Sequence, residues 1–78
     1  MQNQYLANNL LTMRIRINRT DLELFGGATV ADALRRYYVL HKKKFPEIFP
    51  AVTDRHGNYV APDGSLSEGN QLYLKTKK

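Results

Sequence analysis

The amino-acid sequence predicts a small α+β protein in which a single helix covers one face of a mixed β-sheet of four to five strands. Apolar and polar residues alternate near both ends of the chain, which is the period of half-buried strands. Between these stretches, apolar residues recur at spacings of three and four, as in an amphipathic helix. A chain of 78 residues forms one domain at most, so the helix and the sheet are expected to share one core.

The first half of the chain predicts a β-hairpin. Residues 11–17 alternate apolar with polar side chains and are expected to form the first strand. Residues 18–21 (Asn-Arg-Thr-Asp) are typical of a turn because their short polar side chains bond the nearby backbone. Leu22 and Leu24 then alternate with acidic residues, which predicts a short second strand that pairs back on the first.

A helix is predicted after the hairpin. Thr29 is a good N-cap residue, and Asp32 stands where a capping box places its acidic partner. The helix must end before Pro46, because the residue before a proline is disfavoured in helical conformation. We therefore predict a helix over residues 30–43, whose last-turn lysines would favour the negative end of the helix dipole.

The second half of the chain predicts shorter strands. Residues 45–50 contain two prolines and are expected to form a connection rather than a central strand. Turn residues around Gly57 and Gly64 separate the apolar runs that follow. We predict a third, a fourth and a closing strand over residues 51–53, 59–61 and 71–76.

The first and last strands are the longest and most apolar, so we expect them side by side in the centre of the sheet. In this β-β-α-β-β-β arrangement, one helix crosses one sheet face, which is the β-grasp layout. The domain is expected to span residues 10–76, between a disordered tail at residues 1–9 and a basic tail at residues 77–78. The predicted core brings together Ile15, Ile17, Leu34, Tyr37, Leu72 and Leu74.

Composition argues against several classes of function. The chain has no cysteine, which excludes disulfides and thiolate chemistry. It has no apolar run near the roughly 20 residues of a membrane span, and its polar start does not resemble a signal peptide. His41 and His56 lack the spacing of metal ligands. We therefore expect a cytoplasmic protein that is not an enzyme, with no catalytic residue, cofactor, metal site or membrane partner.

Two stretches resemble the small sulfur-carrier proteins of thiamin and molybdopterin biosynthesis (ThiS/MoaD-like), which have a ubiquitin-like β-grasp fold. Residues 13–34 match the family's order of strand, short strand and helix start, the last being Gly27-Ala-Thr29-Val30. Residues 66–74 are similar to its approach to the final strand. The resemblance implies a ubiquitin-like β-grasp fold and, as one candidate partner, an adenylating or sulfur-transfer enzyme.

The family's chemistry resides in a C-terminal Gly-Gly tail, whose last glycine is adenylated and converted to a thiocarboxylate. Such a tail must be slim and flexible to enter the partner enzyme. The sequence given ends in Thr76-Lys77-Lys78, with two long cationic side chains. We therefore expect no sulfur transfer, and a carrier with an altered or processed tail is the alternative.

The candidate binding residues are basic and aromatic. Strand alternation predicts that some of them point to the sheet face opposite the helix, and others form a basic cluster at the helix end. A face that mixes tyrosine with arginine and lysine is suited to a protein interface or to stacking on nucleic acid, although ordinary solvated surfaces also carry such residues. The residues are Arg14, Arg16, Tyr73 and Lys75 on the sheet, and Arg36, Lys42 and Lys43 at the helix end.

These observations lead to ranked hypotheses. The first is a monomeric, non-enzymatic ubiquitin-like module that binds another protein. The alternative is an RNA-binding β-grasp domain (TGS-like), similar to those appended to some translation-linked GTPases and synthetases. A net charge of +5, from 12 basic and 7 acidic residues, fits either an anionic partner or an ordinary solvated surface.

Overall fold

The computed structural model describes residues 12–75, which form a four-stranded mixed sheet with one α-helix. The predicted tails at residues 1–9 and 77–78 lie outside the described residues. Among residues 12–75, no helix has the length and apolar character needed to span a bilayer. The elements are β1 (Thr12–Ile17), β2 (Thr20–Phe25), α1 (Val30–Leu40), β3 (Val52–Asp54) and β4 (Gln71–Leu74).

The strands lie in the order β2-β1-β4-β3. β1 pairs antiparallel with β2 from Thr12↔Phe25 to Ile17↔Thr20, and parallel with β4 through Ile17↔Leu72. β3 pairs antiparallel with β4. The prediction that the first and last strands lie side by side in the centre is therefore confirmed.

The core lies between α1 and one face of the sheet. Alternation along β1 turns every second side chain inward, and the three-four spacing along α1 places its apolar side chains over them. Leu74, expected in the core, is only half-buried at its margin. The buried residues include Met13, Ile15, Ile17, Leu22, Leu24, Val30, Ala33, Leu34, Tyr37, Val52 and Leu72.

The start of α1 follows the prediction. The Thr29 side-chain oxygen accepts a hydrogen bond from the Asp32 backbone amide at 3.4 Å. The Asp32 carboxylate accepts one from the Thr29 amide at 2.9 Å. This reciprocal capping box satisfies two amide groups that a helix start leaves without partners.

The end of α1 differs from the prediction, because the helix ends at Leu40 and not at residue 43. Lys42 takes the left-handed conformation, with a φ of 56°. The Lys42 amide donates to the Val39 carbonyl at 3.0 Å, and the Lys43 amide donates to the Tyr38 carbonyl at 2.9 Å. These two bonds form a Schellman motif. The helix therefore ends at this motif, well before Pro46. Lys42 and Lys43 therefore follow the helix, and its last turn carries no basic residue.

Packing supports this early end. The ring of Phe45 lies edge-on to Tyr38, with 5.1 Å between centroids, and Phe49 lies 5.9 Å from Phe45. These contacts pack the chain that follows the Schellman motif against α1.

The short strands also differ from the prediction. The second strand begins earlier, at Thr20, and the third covers Val52–Asp54. The predicted fourth strand at residues 59–61 is not formed, and Tyr59 makes only an isolated bridge to Thr53. The closing strand ends at Leu74, although the Lys75 amide still donates to the Ala51 carbonyl at 3.0 Å. Thr76 lies outside the described residues.

Candidate functional site

The sheet face opposite α1 is not covered by any element among residues 12–75. Strand alternation turns exposed side chains toward it from β1, β2 and the end of β4. We call this surface the outer face and define it by Arg14, Arg16, Asp21, Glu23, Phe25, Tyr73 and Lys75.

The register of β1 and β2 sets opposite charges against each other on the outer face. Arg14 lies opposite Glu23, and Arg16 lies opposite Asp21. The Arg16 Nε donates to Asp21 Oδ1 at 2.8 Å. This hydrogen bond, and then the attraction of the Asp21 charge, raises the pKa of Arg16 above its ordinary value. The pairing directs the Arg16 guanidinium toward β2.

Aromatic side chains border these charges. Phe25, the last residue of β2, is 59% exposed. Tyr73, in β4 and one residue past the last β1–β4 pair, is 41% exposed. Since Phe25 pairs with Thr12 and Tyr73 follows the partner of Ile17, they lie about 20 Å apart along the strands. The Tyr73 hydroxyl donates to Gln71 Oε1 at 3.2 Å.

The turn before β4 adds a third carboxylate beside β1. Glu68 Oε1 accepts a hydrogen bond from the Arg14 backbone amide at 2.9 Å, and the Gly69 amide donates to the Arg14 carbonyl at 2.7 Å. Gly69 has a φ of 86°, which a residue with a side chain rarely adopts. The turn and β1 enclose a shallow groove of about 490 Å³, lined partly by Arg14, Arg16 and Glu68.

Together with Glu68 beside it, the outer face is therefore balanced in charge rather than basic. The predicted cations Arg14, Arg16 and Lys75 lie on it or at its margin, with Asp21, Glu23 and Glu68 close by. The sequence prediction missed the acidic members. Their signal was the alternation of Asp21 and Glu23 with buried leucines, which places both carboxylates on the exposed side of β2.

The structure separates the remaining predicted residues from the outer face. Arg36 lines a different groove, between β2 and α1. Lys42 and Lys43 are exposed beyond the end of α1. The seven predicted binding residues thus form one set on the sheet and another around the helix.

The histidines hold local structure. His41 Nε2 lies 2.9 Å from the Thr20 hydroxyl, and its ring packs on that of Tyr37, with 4.3 Å between the ring centroids.

His56 lies in the turn after β3. The Asp54 carboxylate accepts hydrogen bonds from the backbone amides of His56 at 2.8 Å and Asn58 at 3.0 Å. The bond from Asn58, partly opposed by desolvation and supported by that from His56, lowers the pKa of Asp54. No group of three or more metal-binding side chains occurs within the part of the chain that the structure describes.

Comparison with known proteins adds no family. Neither the scan of family models nor the search of curated proteins finds a match to the chain. The resemblance to small sulfur carriers therefore stays a prediction from residues 13–34 and 66–74.

Proposed function

We propose that this chain is a ubiquitin-like β-grasp domain that acts as a non-enzymatic protein-binding module through its outer face. The β-grasp assignment is supported by the parallel pairing of β1 with β4 in the sheet centre and by the single helix packed across one face. The proposed resemblance to sulfur carriers makes an adenylating or sulfur-transfer enzyme one candidate partner.

The observation that carries the proposal is the charge pattern of the outer face. Arg14 and Arg16 stand directly opposite Glu23 and Asp21, so charges of both signs are held at defined positions by strand register. A folded protein can present complementary charges at such positions, which gives specificity and orientation. Arginine and tyrosine are also enriched where protein interfaces derive most of their binding energy.

Aromatic surface near the charges supports the same conclusion. Tyr73 pairs with Thr53, and Thr53 is bridged to Tyr59, which is 69% exposed. Exposed tyrosines supply contact area to a partner, and the Tyr73 hydroxyl is already hydrogen-bonded to Gln71.

RNA binding is less well supported by this arrangement. A nucleic-acid backbone is attracted by closely spaced cations and repelled by the carboxylates of Asp21, Glu23 and Glu68. The positive charge of Arg16 is already offset by Asp21 at 2.8 Å. We therefore place the protein-binding hypothesis first.

A charge exchange tests the proposal. The double variant Arg16→Asp with Asp21→Arg keeps the net charge and allows the ion pair to re-form, but it reverses the position of the two charges. In affinity capture from the native host, we expect the original chain to retain a salt-stable protein partner. The double variant and Tyr73→Ala should lose it, whereas Ile48→Ala, at an exposed position in the connection after α1, should keep it.

The same variants distinguish RNA. Binding to single-stranded RNA followed by fluorescence anisotropy should be weak, steeply salt-dependent and unchanged by the charge exchange, because non-specific binding follows net charge. Captured material that is RNA-linked, disappears with salt and is equally retained by the double variant would contradict the proposal.

A further inference from the structure

The two edges of the sheet differ in how far they are covered. Beyond β3, the chain folds back on that edge. The Asp54 amide donates to the Asn58 carbonyl at 2.9 Å, and the Val60 amide donates to the Val52 carbonyl at 3.0 Å. β2 forms the other edge, and within residues 12–75 no strand pairs with its second side.

β2 is a regular edge strand. It runs for six residues, Thr20–Phe25, without proline, and every residue is in register with β1. Every second residue of an edge strand directs its amide and carbonyl away from the sheet. A long, regular edge of this kind is a template for a further strand.

A groove lies beside this edge. It has a volume of about 490 Å³ and is enclosed by β2 on one side and α1 on the other. Val39 is 69% exposed and Phe25 is 59% exposed, so both present apolar surface to solvent. The groove is lined by Glu23, Leu24, Phe25, Asp32, Arg35, Arg36 and Val39.

Its helix side is cationic. Arg35 reaches Asp32 only at 3.5 Å, and both side chains remain partly exposed. Arg36 makes no ion pair with any of the described residues. An acidic side chain entering from the edge would meet Arg36 directly, because a guanidinium binds carboxylates through paired donors.

We propose that the β2 edge binds an extended segment of a partner protein as an additional strand of the sheet. Side chains on one side of that segment enter the groove and are apolar, against Val39, or acidic, against Arg36. Side chains on its other side lie next to Glu23 and are basic. This surface shares Glu23 and Phe25 with the outer face but extends along the β2 edge to α1, and the inference goes beyond the proposed function.

A second copy of the chain fits this edge poorly. If two β2 strands paired antiparallel about Leu22, Asp21 of one copy would stand opposite Glu23 of the other. If they paired about Glu23, the two Glu23 carboxylates would face each other. Like charges directly opposite across a strand pair are destabilising. The charge pattern therefore favours a partner with basic residues.

Hydrogen exchange of the full chain gives the first test. In the free protein, we expect alternate amides of Thr20–Phe25 to exchange much faster than the amides of β1, because they have no acceptor. Uniform protection along β2 would show that the edge is already occupied, and would overturn the proposal.

A synthetic nine-residue peptide gives the second test. In this peptide, valines that face the groove alternate with lysines that face Glu23. The central valine is replaced by aspartate. NMR shifts should map to β2 and to the α1 side of the groove. Two further peptides carry N-methyl groups on alternate amides. The first is methylated at the odd-numbered positions and the second at the even-numbered positions. One of them should lose at least tenfold in affinity while the other retains binding, because only one set of amides faces β2. An absence of shifts, or equal binding by both methylated peptides, would overturn the proposal.

Variants of the protein locate the contact. Val39→Asp and Arg36→Glu should each weaken binding of the unmethylated peptide at least fivefold. The matched control Ile48→Asp should leave it unchanged. The outer-face variant Tyr73→Ala, on β4 and away from the β2 edge, should also leave it unchanged, so failure of this edge and failure of the proposed function give different results. Loss of peptide binding in the outer-face variant alone would overturn the edge assignment.

Discussion

The side-chain carbonyl of Asn18 accepts a hydrogen bond from the backbone amide of Leu74 at 3.1 Å. The same side chain donates through Nδ2 to the Tyr37 hydroxyl at 3.3 Å. Asn18 has a φ of 54°, in the left-handed region that asparagine tolerates better than most residues. One residue in the β1–β2 turn thus connects the closing strand with the helix.

Substitution of Asn18 should separate these contributions. We expect Asn18→Ala to lower the free energy of unfolding by about 2 to 3 kcal/mol, because it removes two hydrogen bonds and places a residue with a Cβ in a strained conformation. Asn18→Gly removes the same bonds without the strain and should lose about 1 kcal/mol less. Urea denaturation measures both, and equal losses would contradict the strain assigned to φ.

Lys42 offers a stabilising substitution. It occupies the left-handed position of the Schellman motif, where glycine is usual. Lys42→Gly should therefore raise the free energy of unfolding by about 1 kcal/mol. The control Lys44→Gly, outside the motif, should not. An unchanged or lowered melting temperature in Lys42→Gly would contradict this account of the helix end.

Leu34 tests the core. It is fully buried between α1 and the sheet. Leu34→Ala should destabilise the protein by about 3 kcal/mol, through lost transfer free energy and the cavity that remains. Leu40→Ala, on the exposed side of the same helix, should change stability by less than about 0.5 kcal/mol. Chemical denaturation of the two variants at the same pH gives the comparison.

Asp54 predicts a pH dependence. Its folded-state pKa is lowered, chiefly by the hydrogen bond from the Asn58 amide. Its contribution to stability is therefore fully present above the unfolded-state pKa, about 3.9, and is lost as pH falls through the lower folded value. An NMR titration should show the carboxyl midpoint below that of an unfolded reference.

The variant Asp54→Asn isolates this effect. It retains an acceptor oxygen for the turn but cannot titrate. The difference in unfolding free energy between the original chain and the variant should shrink as pH falls from 6 to 2. A constant difference over that range would show that the carboxylate charge does not stabilise the turn.

The sequence predicted most of the fold because the relevant signals are local. Alternation located β1 and β2, and Thr29 with Asp32 located the helix start through contacts within one turn. The helix end was missed because lysine, and not glycine, takes the left-handed position at residue 42. Pro46 set only an outer limit, and the bonds from the Lys42 and Lys43 amides end the helix earlier.

The candidate site was predicted in part for a related reason. Alternation correctly turned Arg14, Arg16 and Tyr73 outward. It did not pair Arg16 with Asp21 or place Arg36 beside β2, since those relations depend on strand register and on helix packing. Alternation also turns Asp21 and Glu23 outward, but only the register shows which arginines they face.

Residue periodicity therefore established which side chains are buried and which are exposed, because solvent contact follows the repeat of each strand or helix along the chain. The tertiary structure established the strand order, the uncovered edge of β2 and the charge pairs. These depend on contacts between residues far apart in sequence, such as Asn18 and Leu74, whose pairing no local pattern encodes.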